Sequence, residues 1–347
     1  MAYDCIFKIE SRVLRKYKMS SRDSMPNYER CLHMLYGLAV GDAIGLPFEH
    51  DRQRIRPVLI DIDEGGFDLH SHFQGNRLIA GGQVSDETEQ MIILLSGIAE
   101  RGGIYSREYA ISAYMEWANS KTPFVDVNAR NLFQRVKTVG GYNRRCAKFA
   151  PERVLSNAAI ARCAPIALLR DSDSIAAQDC SITNPAPECI AAEQAYTLFL
   201  KSLLRGDHIT AGMETIIAAC FAKTGNNAID VAYVQATARA NRDMVSNKSF
   251  YAHAIYCAIY ATLYFNSMSD AMDWVVSFPS TDSDTNAAVV GAVIGAKMGN
   301  ALRDDARYMR NLQLVLACNP DSGSISRPEK YHPRHIEGCV KAIFATL

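Results

Sequence analysis

Apolar residues recur at three- and four-residue spacing along almost the whole chain. Residues 28–45, 88–101, 106–120, 157–171, 189–204, 210–223, 229–241, 249–265, 270–278, 286–302 and 333–347 all show it. That spacing gathers apolar side chains on one face of an α-helix, which must then be buried against another element. Many of these segments open on Ser, Thr, Asp or Asn, or close near Gly or Asn, as helix start and stop chemistry requires. Strand-like alternation is scarce, and residues 57–62 are the one fair candidate. With 347 residues and 48% hydrophobic content, the chain can enclose a large core. An all-α fold is expected. No Pro/Gly/Ser linker interrupts it, so residues 28–347 read as one domain. Residues 1–27, rich in Lys8, Arg12, Arg15, Lys16, Lys18 and Arg22, read as an appended basic arm, solvated by default. Residues 46–85, 121–156 and 172–188 lack the period and read as long loops, which in a compact domain commonly carry function.

The charge balance excludes some partners. The 37 basic and 37 acidic side chains cancel, so no bulk field calls for nucleic acid or an anionic membrane. Ten cysteines are scattered from Cys5 to Cys339 without a CxxC pair or a Cys/His cluster at zinc spacing. They read as buried free thiols in a reducing compartment. The first residues carry charges too early for a signal peptide, and no window reads as the roughly 18 to 20 apolar residues of a membrane span. A cytoplasmic monomer is expected.

Two acidic clusters stand out at the mouths of small-residue helices: Ser85-Asp86-Glu87-Thr88-Glu89 and Thr281-Asp282-Ser283-Asp284-Thr285-Asn286. Either one reads as an N-cap, since Ser, Thr and Asp satisfy free helix N–H groups. Brought together, they read as an all-oxygen site for a hard divalent cation. Glycines add a second pattern. Gly37, Gly41 and Gly45 fall four apart, as do Gly291, Gly295 and Gly299. Each glycine costs a helix interior about 1 kcal/mol against alanine, so the stripes imply close approach of another helix or a ligand.

Four segments carry a resemblance. Gly41-Asp42-Ala43-Ile44-Gly45-Leu46-Pro47-Phe48-Glu49, Val84-Ser85-Asp86-Glu87-Thr88-Glu89-Gln90-Met91, Asn157-Ala158-Ala159-Ile160-Ala161-Arg162-Cys163-Ala164-Pro165 and Asp282-Ser283-Asp284-Thr285-Asn286-Ala287-Ala288-Val289-Val290-Gly291 resemble, in order, the signature set of the ADP-ribosylglycohydrolase family. The family includes the dinitrogenase reductase-activating glycohydrolases and the ADP-ribosyl-acceptor hydrolases. The resemblance spans residues 30–345 or so and implies a compact, single-domain orthogonal helical bundle with two divalent ions, Mg²⁺ or Mn²⁺, in a cleft. It implies hydrolysis of the bond between ADP-ribose and an acceptor, arginine foremost, on a modified protein or a small substrate. By motif, Ser85, Asp86, Glu87, Asp282, Asp284 and Thr285 correspond to metal ligands. Glu49, Asp126 and Asp284 correspond to catalytic acids or bases, and Gly140, Gly141, Ser156 and Asn157 to phosphate and ribose contacts. The chain departs from the pattern at Glu87, where aspartate is usual, and at Ser280 and Thr281, which replace glycines. It departs also at Ser283, Asn184 and Asn128 in place of threonine, histidine and glycine.

The residue types suit that chemistry in their own right. A group leaving an anomeric carbon builds oxocarbenium character that anionic neighbours stabilise, while a carboxylate takes a proton from the attacking water. An EF-hand is excluded, because Ala287 and Val293 stand where its glycine and glutamate belong. Cys163, with no histidine in local reach, reads as a core thiol. His50 reads as a loop residue or a proton shuttle, and Phe250 with Tyr251 as core or as an adenine platform. A non-catalytic relative is the alternative, one that binds ADP-ribose or uses the basic arm to hold an ADP-ribosyltransferase.

Overall fold

The computed structural model describes residues 25–49, 69, 72–74, 76–239, 250–277 and 282–347. Among these are sixteen α-helices and one two-stranded hairpin. The helices are α1 Tyr28–Gly45, α2 Asp86–Glu100, α3 Arg107–Ala118, α4 Val127–Phe133, α5 Val139–Phe149, α6 Ala158–Arg162, α7 Ser172–Thr183, α8 Pro187–Arg205, α9 Asp207–Ala211, α10 Met213–Phe221, α11 Asn227–Thr237, α12 Tyr251–Tyr264, α13 Met268–Val276, α14 Ser283–Met298, α15 Ala306–Ala317 and α16 Ile336–Phe344. Strands β1 His72–Gln74 and β2 Arg77–Ile79 pair antiparallel, with His72 opposite Ile79. The fold is all-α. Residues 1–24 of the arm, the strand candidate at 57–62, His50, Ser280 and Thr281 lie outside the described residues.

The core is organised around α1 and α14. Helix α14 is buried on every side from Ser283 to Ala296, as a helix apolar all round must be. Glycines of each helix face the backbone of the other, Gly37 and Gly291 facing each other. A methyl group at Gly37 would overlap the Gly291 carbonyl, one at Gly41 the Ala287 carbonyl, one at Gly45 the Ser283 carbonyl, and one at Gly295 the His33 carbonyl. Residue numbers rise along one helix as they fall along the other, so the two run antiparallel with backbones in contact. The close approach implied by the glycine spacing is what the helices do. Gly299 is an exception to the stripe: it ends α14 at φ +54°. The α14 carboxyl end is closed by Arg30 of α1, whose Nη1 donates to Ala296 O at 2.8 Å and to Lys297 O. Helices α12, α13 and α8 pack around α14, while α15 and α16 cover α1 and α16 also packs on α2.

Several boundaries differ from expectation. Segments 121–156 and 172–188 are not loops, since they hold α4, α5 and α7. The expected helix at 157–171 divides into α6 and a 3-10 turn Ala164–Leu168, because Pro165 cannot donate to a continuing helix. The one at 210–223 breaks at Gly212, φ +80°. Residues Tyr28–Phe48 also prove long and apolar enough to cross a membrane, contrary to the sequence reading, but 94% of the apolar window within them is buried inside the protein.

Candidate active site

The antiparallel α1–α14 seam places the end of one helix beside the start of the other. From Gly45 the chain turns through a 3-10 segment, Leu46–Phe48, and delivers Glu49 to the mouth of α14. There, ligand oxygens of Glu49, Asp282 and Asp284 lie within 4.8 Å of one another. No other such group of acidic, histidine or cysteine ligands occurs among the described residues.

The first cluster reaches the same place through Asp42. This residue is fully buried in α1, and its carboxylate accepts from Ser85 N at 3.0 Å, Thr88 N at 3.1 Å and Thr88 Oγ1, with Ser85 Oγ 2.6 Å away. Ser85 makes no side-chain cap to α2. Asp42 therefore caps α2 from another helix, satisfying N–H groups that the helix itself cannot. A third helix end, that of α4, is capped by Asp126, whose Oδ1 accepts from Asn128 N at 2.7 Å and Ala129 N at 3.0 Å.

A chain of alternating carboxylates and hydroxyls joins the two clusters. Ser85 Oγ lies 2.6 Å from Asp42 Oδ1 and 2.6 Å from Glu87 Oε2. Thr285 Oγ1 lies 2.7 Å from Glu87 Oε1 and 2.9 Å from Asp282 Oδ1. Each hydroxyl has one proton, so it can serve only one of its two carboxylate neighbours. The other contacts require a carboxyl proton or a cation. Burial raises Asp42 to about 6 and Glu87 to about 8. Asp86 and Asp284 are raised well above the usual carboxylate range by burial and then by Glu87, and burial raises Asp126 against the pull of its two amides. No Lys, Arg or His among the described residues forms an ion pair with Asp42, Asp86, Glu87, Asp126, Asp282 or Asp284. Helix N-termini offset part of the charge. An all-oxygen donor set with unshared negative charge fits a hard divalent cation.

The residues assigned to metal ligation thus converge with Glu49, and Asp126 is close enough to act electrostatically on Asp86. The residues assigned to phosphate and ribose stand apart, with no hydrogen bond among the described residues to the cluster. Gly140 and Gly141 lie in the first turn of α5 rather than in a loop, and Thr138 Oγ1 already accepts from Gly141 N at 3.1 Å. Ser156 Oγ accepts from Asn184 Nδ2 at 3.1 Å. Asn157 opens α6, which packs on both α2 and α14, and its buried Nδ2 has no hydrogen-bond partner. Cys163 is a buried core thiol donating to Ile160 O, its pKa pushed up by burial. Tyr251 is buried with its hydroxyl on Asn226 Oδ1 at 3.0 Å, its ring tilted against Phe250.

Asp42 lies within the first motif, where the sequence alone assigns it no task. Its signal is its position: an acid in the middle of an apolar, glycine-striped helix has to be buried with donors around it. Arg162 is similar. Fully buried, it donates Nε to Asp179 Oδ2 at 2.9 Å and Nη1 to Gln90 Oε1 at 3.3 Å, joining α6, α7 and α2.

Comparisons with known proteins bear on the fold and the family. A solved structure described as an "ADP-ribosylglycohydrolase-related protein complex" superposes with a TM-score of 0.67 at 20% identity, over 92% of this chain and 98% of its own; at that identity the likeness bears on the fold. No curated protein matches the chain. The family model described as ADP-ribosylglycohydrolase matches residues 23–314, a span that includes all four motifs and every residue of the cluster. The chain belongs to the ADP-ribosylglycohydrolase family, glycosyl hydrolases that act on ADP-ribose linkages.

Proposed function

We propose that this protein is a divalent-metal-dependent hydrolase that removes ADP-ribose from modified arginine side chains. The convergence of two acid clusters almost two hundred residues apart supports the reading most directly. Glu49, Asp282 and Asp284 would hold one ion, and Ser85, Asp86 and Thr285 would contribute to a second, Mg²⁺ or Mn²⁺ suiting both. When bound, such ions supply Lewis acidity, orient ribose hydroxyls and offset the carboxylate charge.

The chain's own groups account for the rest. Water adds its oxygen to the anomeric carbon as the bond from that carbon to the guanidine nitrogen breaks. One water proton passes to a carboxylate and the departing nitrogen gains a proton. Burial raises the pKa of Asp126, which favours its taking up the proton, while Asp284 would act through the ion it holds. In Asp126 the amides occupy Oδ1, so Oδ2 is the atom for that transfer. Anionic walls favour the cationic acceptor arginine over a neutral serine and stabilise positive charge at the sugar. The pyrophosphate would meet the α5 N-terminus at Gly140 and Gly141, where Arg144 stands nearby, with Ser156 and Asn157 toward the ribose.

The test is release of ADP-ribose from arginine-, serine- and phosphate-linked substrates with Mg²⁺, with Mn²⁺ and with EDTA. Arginine-linked substrate should be cleaved fastest, EDTA should abolish cleavage, and Asp284→Ala should lower the rate by roughly a hundredfold or more, as loss of a catalytic-site charge does. Release that persists in EDTA, or no release from any substrate, would sink the proposal.

A further inference from the structure

Glu87 occupies a position where the family pattern has the shorter aspartate. Its added methylene has a visible geometric result. The carboxylate spans the gap between the two clusters, with Oε2 at 2.6 Å from Ser85 Oγ and Oε1 at 2.7 Å from Thr285 Oγ1. These are its two hydrogen-bond partners, one on each side. It stands outside the Glu49, Asp282 and Asp284 group whose oxygens converge.

The competing acceptors are otherwise committed. Asp42 already receives Ser85 N, Thr88 N and Thr88 Oγ1, and the Asp282 carboxylate belongs to the converging trio. The protons of Ser85 and Thr285 are therefore best received by Glu87. A hydroxyl that binds a cation does so through a lone pair and must send its proton elsewhere. An acceptor standing behind two such hydroxyls fixes which way both lone pairs point, as outer-shell carboxylates do at metal sites.

We propose that Glu87 is a positioning residue that accepts the protons of Ser85 and Thr285 and so aims both hydroxyls at the bound cation, rather than a metal ligand itself. The longer side chain lets one carboxylate serve two helix mouths, α2 and α14, at once. This inference rests on the metal-site reading above and concerns only the task of Glu87 within it.

Two measurements on the full chain test it. Crystals loaded with Mn²⁺ locate the ions by anomalous scattering. The expectation is that no Glu87 oxygen lies within about 2.6 Å of an ion, the outer limit for oxygen ligation of such cations, while both hydroxyls remain in contact with Glu87. In parallel, Mn²⁺ titration followed by electron paramagnetic resonance compares wild type with Glu87→Gln. The amide can accept from only one hydroxyl, so the number of ions per chain should be unchanged while Kd weakens roughly tenfold to a hundredfold. A Glu87 oxygen inside the coordination distance, a lost ion in Glu87→Gln, or unchanged affinity in that variant would each overturn the inference and leave the metal site standing. Absence of Mn²⁺ binding by wild type would overturn the metal-site reading and this inference together. Should the variant fail to fold, the crystal measurement on wild type decides alone.

Discussion

Glu193 carries the most exacting electrostatics of any single residue in the core. It is fully buried in α8, and neither carboxyl oxygen has a hydrogen-bond partner of good geometry, the Cys180 thiol being only a weak donor toward it. Arg162, the cation nearby, is already paired with Asp179 at 2.9 Å. Burial, and then the Asp179 charge, raise the Glu193 pKa well above its usual value. A folded-state pKa above the unfolded one gives stability that is complete below the unfolded value, near 4.5, and is lost as pH rises. The Glu193 contribution to stability should thus fall above that pH with a slope approaching about 1.4 kcal/mol per pH unit for one proton. Glu193→Gln should remove this residue's share of the slope, so urea unfolding at pH 5 and pH 8 should show the variant gaining on wild type as pH rises. An equal difference at both values would contradict this. At this scale the sequence was legible for residues that sit in acidic clusters: Ser85, Asp86, Asp282 and Asp284 announce themselves by composition. Asp42, Asp179, Arg162 and Glu193 do not, because their roles depend on partners from other helices, and a partner from another helix leaves no local spacing to read.

Helices are legible where their buried face is apolar and lost where it is not. Helix α5 buries only Tyr142, and the buried face of α7 carries Asp179 and Thr183 beside Ala176, Cys180 and Ile182. Neither shows the period that marks α1 or α2, so both look like loops in the sequence, although Thr138 caps α5 as a Thr should. The glycine seam was legible as a requirement for close approach, but not as the contact of these two helices with each other. It supports a contrast between two substitutions of one kind. Gly41→Ala drives a methyl into the Ala287 backbone, where no flexible side chain can yield. Overpacking of this sort should cost about 3 kcal/mol, exceeding the roughly 1 kcal/mol gained from helix propensity. Gly338→Ala, on the exposed face of α16 with nothing within 4 Å of the new methyl, should instead stabilise by about 0.5 kcal/mol. Chemical denaturation of the two variants should give opposite signs.

Across the whole molecule, the segment after the family match closes over the helix that bears the first acid cluster. Arg327 is buried and grips Glu89 of α2 through both carboxylate oxygens, each at 2.7 Å, while also donating to Ser120 O at 3.0 Å. Trp117 Nε1 donates to Glu89 Oε2 at 2.6 Å. Nearby, Ser324 exchanges hydrogen bonds with the Leu78 backbone. Truncation at Arg327→Ala would leave a buried carboxylate without its cation, a loss of about 3 to 5 kcal/mol. Pairing that change with Glu89→Leu should recover much of the loss, since no buried charge then remains; equilibrium unfolding of the single and double variants reads both. None of this was visible in the sequence, where Arg327 stands 238 positions from its partner in a stretch without periodicity. The α1–α14 contact has the opposite character, being local in pattern and global in effect. Its notches come every four residues, so a slip by one notch would shift one helix along the other by about 6 Å. The Glu49, Asp282 and Asp284 oxygens gather within 4.8 Å, which is less than one notch. No partial slip leaves the cluster slightly looser: the backbone-to-backbone fit indexes it like a rack and pinion, and the carboxylates either share one cavity or miss it altogether.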